Sequence, residues 1–351
     1  MMKKILFTGG GSAGHVVPNL AVMNELRYGY RVTYMGTSGI ESDLVKKANY
    51  EFFPIETPKL VRSFTLNNLK IPFRLHCAKR DALKILQTEK PDLVFSKGGF
   101  VSYPAVWAAH KLKIPVLTHE SDLTAGLCTK LIAKKCNLVL TSFPETATLF
   151  PNGKHVGSPI RKEIFSGDRE RARHKFGFHT QKPVLLVLGG GSGSKAINEA
   201  LRQNLPVVLA TFDILHLCGK GNAIQNPPAG YVQREFENDM GSAYACADLV
   251  LSRAGSNTVF EILCMKKPAV FVPLEKNSRG DQLENALYFE KSGLCTLLHE
   301  NELNTLCDVL VSSYKNSALR AALAAADIAS GTPKILEIIK SFVQDAGAKG
   351  Y

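Results

Sequence analysis

One pattern in this chain, a short apolar run followed by a glycine loop and then helical spacing, occurs twice. Residues 5–18 read Ile-Leu-Phe-Thr-Gly-Gly-Gly-Ser-Ala-Gly-His-Val-Val-Pro. Gly9, Gly11 and Gly14 satisfy G-x-G-x-x-G with a strand before them and a helix after, the context that gives this spacing meaning. Residues 183–194 repeat the theme as Pro-Val-Leu-Leu-Val-Leu-Gly-Gly-Gly-Ser-Gly-Ser, and Lys195-Ala-Ile-Asn-Glu-Ala-Leu201 opens the next helix. Glycines let the chain turn tightly and let a ligand approach the backbone. The helix that follows aims its unpaired N–H groups and positive dipole end into the same gap. Two copies half a chain apart predict two Rossmann-like, doubly wound α/β domains facing a central cleft.

Neither copy fits a dinucleotide site, which wants an acid about twenty residues past the loop to hold a ribose. The first copy offers Tyr34-Met-Gly-Thr-Ser-Gly39 there and the second Leu215-His-Leu-Cys-Gly-Lys220. A single such loop is most simply a tight turn that binds nothing; the pairing is what points to function. Strands are expected at 31–35, 50–55, 91–95, 114–118 and 137–141, then at 212–217, 231–236, 248–252 and 268–273. Helical segments alternate with them, as in a doubly wound fold. The turn-rich Val156-Gly-Ser-Pro-Ile-Arg161 sets the boundary between a domain of residues 1–160 and one of residues 161–332. The amphipathic tail, residues 333–351, is expected to pack back on the first domain.

Composition excludes several classes. Apolar residues make up 45% of the 351 and charged ones 21%, as in a globular protein. No apolar run approaches the eighteen residues a membrane span needs. The N-terminal Met-Met-Lys-Lys-Ile-Leu-Phe reads as a first strand, not a signal peptide. Eight scattered cysteines without C-x-x-C spacing read as buried thiols, and no metal motif is visible. The charge is lopsided: residues 1–160 hold 21 Lys+Arg against 11 Asp+Glu, whereas residues 161–351 hold 22 against 20. That excess fits a solvated basic face, an anionic membrane or a nucleic acid. The stacking aromatics of single-strand binders are not evident.

Ligands of open α/β sheets sit beyond the carboxyl ends of the strands. The polar groups at those ends are Ser12, His15, Lys97, His119, Glu120, Asp122, Arg161, Ser192, Arg253, Glu261, Arg279, Asp281 and Gln282. Together they carry a resemblance. Gly10-Gly-Ser-Ala-Gly-His-Val-Val-Pro18, Gly98-Gly-Phe-Val-Ser102, His119-Glu-Ser-Asp122, Gly157-Ser-Pro-Ile-Arg161, Gly189-Gly-Gly-Ser-Gly193, Arg253-Ala-Gly-Ser-Asn-Thr258 with Glu261, and Ser278-Arg-Gly-Asp-Gln282 occur in the order seen in the MurG family. The chain resembles these glycosyltransferases over essentially its whole length. The resemblance implies a GT-B fold and an inverting transfer of N-acetylglucosamine from UDP-N-acetylglucosamine to lipid I, giving lipid II. It further implies a peripheral position on the cytoplasmic face of the membrane, with no cofactor and no nucleic-acid partner, and company with other cell-wall synthesis proteins.

By that resemblance the second domain holds the donor. Gly190, Gly191 and Ser192 would receive the diphosphate, with Arg161 and Arg253 near it. Glu261 would accept the ribose hydroxyls, Asp281 and Gln282 would read the sugar, and Ser256, Asn257 and Thr258 complete the set. Ser12 and Gly14 of the first loop are counted with the donor groups. Plain alternatives are a solvated helix acid for Glu261 and a loop ion pair for Arg253. On the acceptor side His15, Glu120 and Asp122 compete as general base, Asp122 and His15 ranking nearly equal. The chain departs from the family in having Ser121-Asp122 where many relatives have Gln-Asn, Gly191 where a serine is usual, and Phe100 in place of an aromatic with a hydroxyl. Leu69, Lys70, Phe73 and Arg74 form a candidate membrane patch, with Pro72 expected to break the helix and expose a hydrophobic tip. Competing readings are a related glycolipid synthase, a UDP-sugar epimerase on a similar fold, and a non-catalytic subunit.

Overall fold

The computed structural model describes residues 2–58, 71–275 and 279–348. The chain divides into two compact units, Met1–Arg161 with Ser330–Tyr351, and Lys162–Ala329. Seven parallel strands build the first: β1 (Lys4–Thr8), β2 (Arg31–Gly36), β3 (Glu51–Pro54), β4 (Leu93–Ser96), β5 (Val116–Glu120), β6 (Leu138–Thr141) and β7 (Gly153–His155). Their spatial order is β3-β2-β1-β4-β5-β6-β7. The second unit has β8 (Val184–Leu188), β9 (Asp213–Leu217), β10 (Tyr231–Arg234), β11 (Leu249–Ser252), β12 (Ala269–Phe271) and β13 (Thr296–Leu297), in the order β10-β9-β8-β11-β12-β13. All pairings in both sheets are parallel. Each sheet therefore reverses winding direction beside its first strand, between β1 and β4 and between β8 and β11. Those are the two switch points where α/β sheets bind ligands.

The strands are continuous apolar runs because helices cover both sheet faces. β8, Val-Leu-Leu-Val-Leu, is buried at every position. In the first unit Ile5, Phe7, Tyr34, Leu93 and Phe95 form the core with Val22 and Leu26 of the helix Ala13–Leu26. The C-terminal helix, Thr332–Ala348, adds Ile335, Ile339 and Val343, which recur every four residues and so share one face. Its entry is pinned to the segment after β7. Gly331 N donates to Ser158 O at 2.8 Å, Ile160 N donates to Thr332 Oγ1 at 3.0 Å, and Thr332 Oγ1 donates to Ile160 O at 2.9 Å. The second unit packs Leu185, Val187, Leu249 and Val270 against Ile197 and Leu201 of the helix Lys195–Gln203.

β5 runs on to Glu120, so His119 and Glu120 are strand residues instead of lying past its end. The described helix Ile71–Glu89 carries Pro72 in its first turn, where a proline removes no hydrogen bond that a helix needs, and Phe73 and Arg74 follow it as helical residues. The stretch just before it, where the expected break would show, lies outside the described residues. β7 is a short edge strand with no apolar run to reveal it, and β13, inside the run Leu294-Cys-Thr-Leu-Leu298, is an added edge strand.

Candidate active site

In the first unit the turn after β1 meets the turn after β4. Gly99 has φ +77°, and a Cβ there would lie 2.3 Å from Gly10 O, so only glycine permits the approach. The contact brings His15, in the first turn of Ala13–Leu26, beside Gly98: a Cβ on Gly98 would sit 4.0 Å from His15 Cδ2 and 3.6 Å from Thr129 Oγ1. Ser12 Oγ and His15 Nδ1 are 3.1 Å apart. Ser12 and Gly14 thus belong to the first unit's turn, together with His15. Gly11 N, which the loop pattern marks as an anion donor, is already used: it donates to Glu41 Oε1 at 2.8 Å, as does Thr37 Oγ1 at 2.7 Å. Glu41 is 2% exposed.

The His119–Asp122 segment divides its labour. Glu120 is buried, and its carboxylate accepts four donors: Ser121 N at 2.9 Å and Asp122 N at 3.3 Å on Oε1, Gly126 N at 2.9 Å and Thr129 Oγ1 at 2.6 Å on Oε2. A carboxylate has about four acceptor sites, so Glu120 is committed to shaping the turn. Asp122 is half-buried and follows it directly. His119 is fully buried, and its Nε2 lies 2.9 Å from Gly157 O. Burial, and then the nearby Lys97 charge, hold its pKa well below the usual range, so it is a neutral donor to that carbonyl. Lys97, just past β4, is 3% exposed and its Nζ donates to Ser121 Oγ. Burial lowers its pKa to about 8, against the raising influence of Glu120 and Asp122. Phe100 packs on the first loop, its Cε1 lying 2.7 Å from where a Gly11 Cβ would be.

In the second unit a cavity of about 530 Å³ opens at the carboxyl ends of β8 and β11. Gly189, Gly190, Gly193 and Ser194 form one wall, Lys195 and Glu199 another, and Arg253, Gly255, Thr258, Leu274, Gln282 and Glu300 the rest. Gly193 has φ +79°, and a Cβ would lie 2.1 Å from Cys218 O in the turn after β9. Ser194 caps Lys195–Gln203 by accepting from Ile197 N at 3.4 Å. Unlike the first loop, this one opens onto space. Arg253 is locked by donating to Val272 O and Pro273 O, both at 3.1 Å, and by an ion pair with Glu300 at 2.5 Å.

Of the expected donor residues, Gly190, Arg253, Thr258 and Gln282 line the cavity. Gly191, Ser192, Ser256, Asn257, Glu261 and Asp281 are not among its lining residues. Glu261, on the helix Ser256–Cys264, accepts from Tyr244 OH at 3.0 Å. Gln282 Oε1 accepts from Leu274 N at 3.0 Å, and Asp281 pairs with Arg279 at 3.2 Å. Arg161 ends the first unit, and its buried Nε has no hydrogen-bond partner among the described residues. Sequence reasoning missed Glu41, Glu300 and Thr129, polar residues with no motif around them. Among the described residues no group of three or more His, Cys, Asp or Glu is placed to hold a metal ion. Leu69 and Lys70 lie outside the described residues; Phe73 is 73% exposed and Arg74 is exposed.

Two doubly wound parallel sheets in one chain, each with a glycine turn at its switch point, define the GT-B class of glycosyltransferase. Solved structures agree: MurG from Acinetobacter baumannii superposes with a TM-score of 0.71 at 27% identity, covering 97% of this chain and 99% of that one. The calicheamicin glycosyltransferase CalG4, at 18% identity, shares the fold with a TM-score of 0.71 over 98% of each chain. Residues 5–141 match the glycosyltransferase family 28 N-terminal domain, and residues 184–339 match the family 28 C-terminal domain. The chain belongs to glycosyltransferase family 28. A Clostridium botulinum (strain Loch Maree) relative is 44% identical over 98% of this chain and its own whole length. A Clostridium perfringens (strain SM101) relative is 42% identical over 96% of this chain and 98% of its own. Both bear the name UDP-N-acetylglucosamine--N-acetylmuramyl-(pentapeptide) pyrophosphoryl-undecaprenol N-acetylglucosamine transferase.

Proposed function

We propose that this chain transfers N-acetylglucosamine from UDP-N-acetylglucosamine to undecaprenyl-pyrophosphoryl-N-acetylmuramoyl-pentapeptide, lipid I, to form lipid II. The observation that carries the reading is the full-length similarity to relatives named for that reaction. The open glycine-loop cavity in the second unit supports it. The second unit is assigned the donor. Its loop amides and the N-terminus of Lys195–Gln203 suit a diphosphate, and Glu261 suits a pair of ribose hydroxyls. Gln282 and Asp281 are assigned to the sugar. Arg253 borders the pocket as a fixed guanidinium, held by Glu300 and the carbonyls of Val272 and Pro273.

The first unit is assigned the acceptor. The acceptor hydroxyl attacks the anomeric carbon, the bond from that carbon to the diphosphate oxygen breaks with its electron pair going to UDP, and the hydroxyl proton passes to a base. Asp122 and His15 remain the candidates for that base, while Glu120 serves to hold the turn that carries Asp122. A peripheral, cytoplasmic-face position at the membrane belongs to the same reading. Among the described residues no helix is long and apolar enough to cross a membrane. Phe73 and Arg74, with Leu127 at 61% exposure, Leu131 at 50% and the exposed Lys130, offer apolar and cationic groups to an anionic surface. Lys79 is less available, because its ammonium lies 5.1 Å from the Tyr103 ring centre and 5.2 Å from that of Trp107.

The test is purified protein with UDP-N-acetylglucosamine, with and without lipid I. UDP release that requires lipid I is the expected result. Conversion of the donor without acceptor would replace the reading by an isomerase, and release with another lipid acceptor alone would replace it by a glycolipid synthase.

A further inference from the structure

The chain carries a serine and an acid at positions 121 and 122, and the structure shows what lies behind them. A lysine ammonium is buried at the switch point of the first sheet, with the Ser121 hydroxyl as its hydrogen-bond partner. An unpaired buried charge is costly, so such a lysine persists where opposite charge is close. Here the charges are Glu120, at the end of β5, and Asp122, in the turn that follows. Glu120 is the larger of these two influences and is itself held by four donors, so lysine and carboxylate together brace the turn that carries Asp122, the carboxylate at the candidate base position. We propose that Lys97 is a positioning residue for the general base: its ammonium, held by Ser121, fixes the 120–122 turn and keeps Asp122 ionised and in place to take the acceptor's proton. The proposal rests on the transferase reading and extends it by tying three residues from two strand ends into one device.

The surroundings of Lys97 admit few other electrostatic partners. His119 on β5 is neutral, turned to Gly157 O, and faces His155 on β7. His15 approaches from the helix Ala13–Leu26 beside Gly98. Cys128, on Leu127–Ile132, faces Glu120 as a buried thiol whose pKa burial pushes up to about 12, so it carries no charge near neutrality. Lys97 is thus a buried cation of the cluster at neutral pH. Burial draws it toward its neutral form at about pH 8, so its support for Asp122 weakens on the alkaline side.

The experiment compares wild type with Lys97→Met, Lys97→Gln, Lys97→Arg, Asp122→Asn and the Lys97→Met/Asp122→Asn double variant, using UDP-N-acetylglucosamine and lipid I. Lys97→Met is expected to lower kcat by about 10²-fold, with the donor KM within about two-fold, a change too small to signal altered binding. The acidic limb of its pH profile should move up by about one pH unit, the effect of removing a close opposite charge. Lys97→Arg should recover part of the loss, and Lys97→Gln should not. In the Asp122→Asn background Lys97→Met should change kcat by less than about two-fold, because residues acting as one device are not additive. A higher lipid I KM with kcat intact would overturn the proposal in favour of direct substrate contact. An equal loss in both backgrounds would overturn it in favour of an independent role. Backbone amide exchange at Ser121 and Asp122 is followed in parallel and should accelerate at least about tenfold in Lys97→Met while β1 stays protected. Unchanged exchange overturns the proposal even if wild type proves inactive on lipid I, the outcome that would instead overturn the transferase reading.

Discussion

Replacing Glu120 by glutamine changes no more than an oxygen to an NH2, yet it should be among the most damaging substitutions in the first unit. Two donors converge on each carboxylate oxygen: the N–H groups of Ser121 and Asp122 on one side, Gly126 N–H and the Thr129 hydroxyl on the other. A glutamine keeps one acceptor oxygen and brings two donors of its own. In its better orientation the NH2 faces Thr129, whose hydroxyl can rotate to accept, and Gly126 N–H is left facing a donor. One orphaned buried N–H costs about 1–3 kcal/mol, and the remaining bonds lose the strength a charged acceptor gives, worth about 1.5–3 kcal/mol each before and about 1 after. The sum is a loss of several kcal/mol, about 2.5 at the least. Glu120 also balances the buried Lys97 charge, which removes the option of a neutral replacement without cost. Urea unfolding of Glu120→Gln against wild type reads the difference, with the slopes compared to confirm that only stability has changed. Turnover should fall as the 121–126 turn loosens, while UDP affinity stays, because the donor is assigned to the other unit. A loss below about 1 kcal/mol would refute the reasoning, since it would mean the four donors find partners elsewhere.

Other outcomes follow from the same geometry. Glu261→Ala should weaken UDP binding by about 1–3 kcal/mol, the scale of a lost charged hydrogen bond; unchanged affinity by calorimetry sinks the ribose assignment. Asp122→Asn and His15→Ala should each reduce turnover by up to about 10²–10⁴ with UDP affinity retained if both serve the acceptor; if only one does, that residue is the base, and if neither does, the acceptor face lies elsewhere. Phe73→Ser/Arg74→Glu should weaken sedimentation with anionic vesicles and leave soluble UDP binding intact; equal sedimentation of variant and wild type places the membrane face away from this helix. His216 is buried between Tyr231 OH at 2.7 Å and Asn198 Oδ1 at 2.9 Å, and burial, aided by the Arg202 charge, depresses its pKa to about 3. The unfolded chain then binds the proton that the native one refuses, so stability should fall as pH drops from about 6.5 toward 3. His216→Gln should flatten that slope in acid unfolding curves, and an identical slope would count against the buried neutral ring.

The alternation of strands and helices was legible because buried parallel strands are written as apolar runs. Val184–Leu188 and Leu249–Ser252 announce themselves in this way, whereas Gly153–His155 pairs at a sheet edge through the backbone and leaves no pattern. The switch-point turns were legible because Gly9–Gly11 and Gly189–Gly193 have few other uses between a strand and a helix. Pairings across the fold were not. Lys97 meets Ser121 from 24 positions away, and Arg253 meets Glu300 from 47. Each partner looks like an ordinary polar residue until the sheet order brings β4 beside β5, or folds the segment after β13 over β11 and β12. The break expected at Pro72 concerns residues outside the described ones; after the proline, Phe73 and Arg74 are helical and exposed.

The two glycine loops look equivalent in sequence and differ in what fills them. In the second unit, Gly190 and Gly193 border a cavity in front of the helix Lys195–Gln203, which has no acidic residue in its first turn. In the first, the Glu41 carboxylate stands against the loop. It takes Gly11 N, and it stands so close that a Cβ on Gly10 would fall 2.0 Å from its oxygen. A helix N-terminus is satisfied by a single nearby negative charge, and a second anion beside a buried carboxylate would be repelled. The first loop is thereby packed against Glu41 and, through Gly99, against the turn that follows β4. The glycine spacing is common to both because each must pass a backbone close to something. In both units Gly99 or Gly193 makes way for a neighbouring backbone, and in the second Gly190 and Gly191 also face open space. The residue that decides between them, Glu41, lies thirty positions beyond the loop and carries no motif of its own. A repeat in sequence therefore identified where both switch points are, and the side chain facing each one sets how much of it is filled.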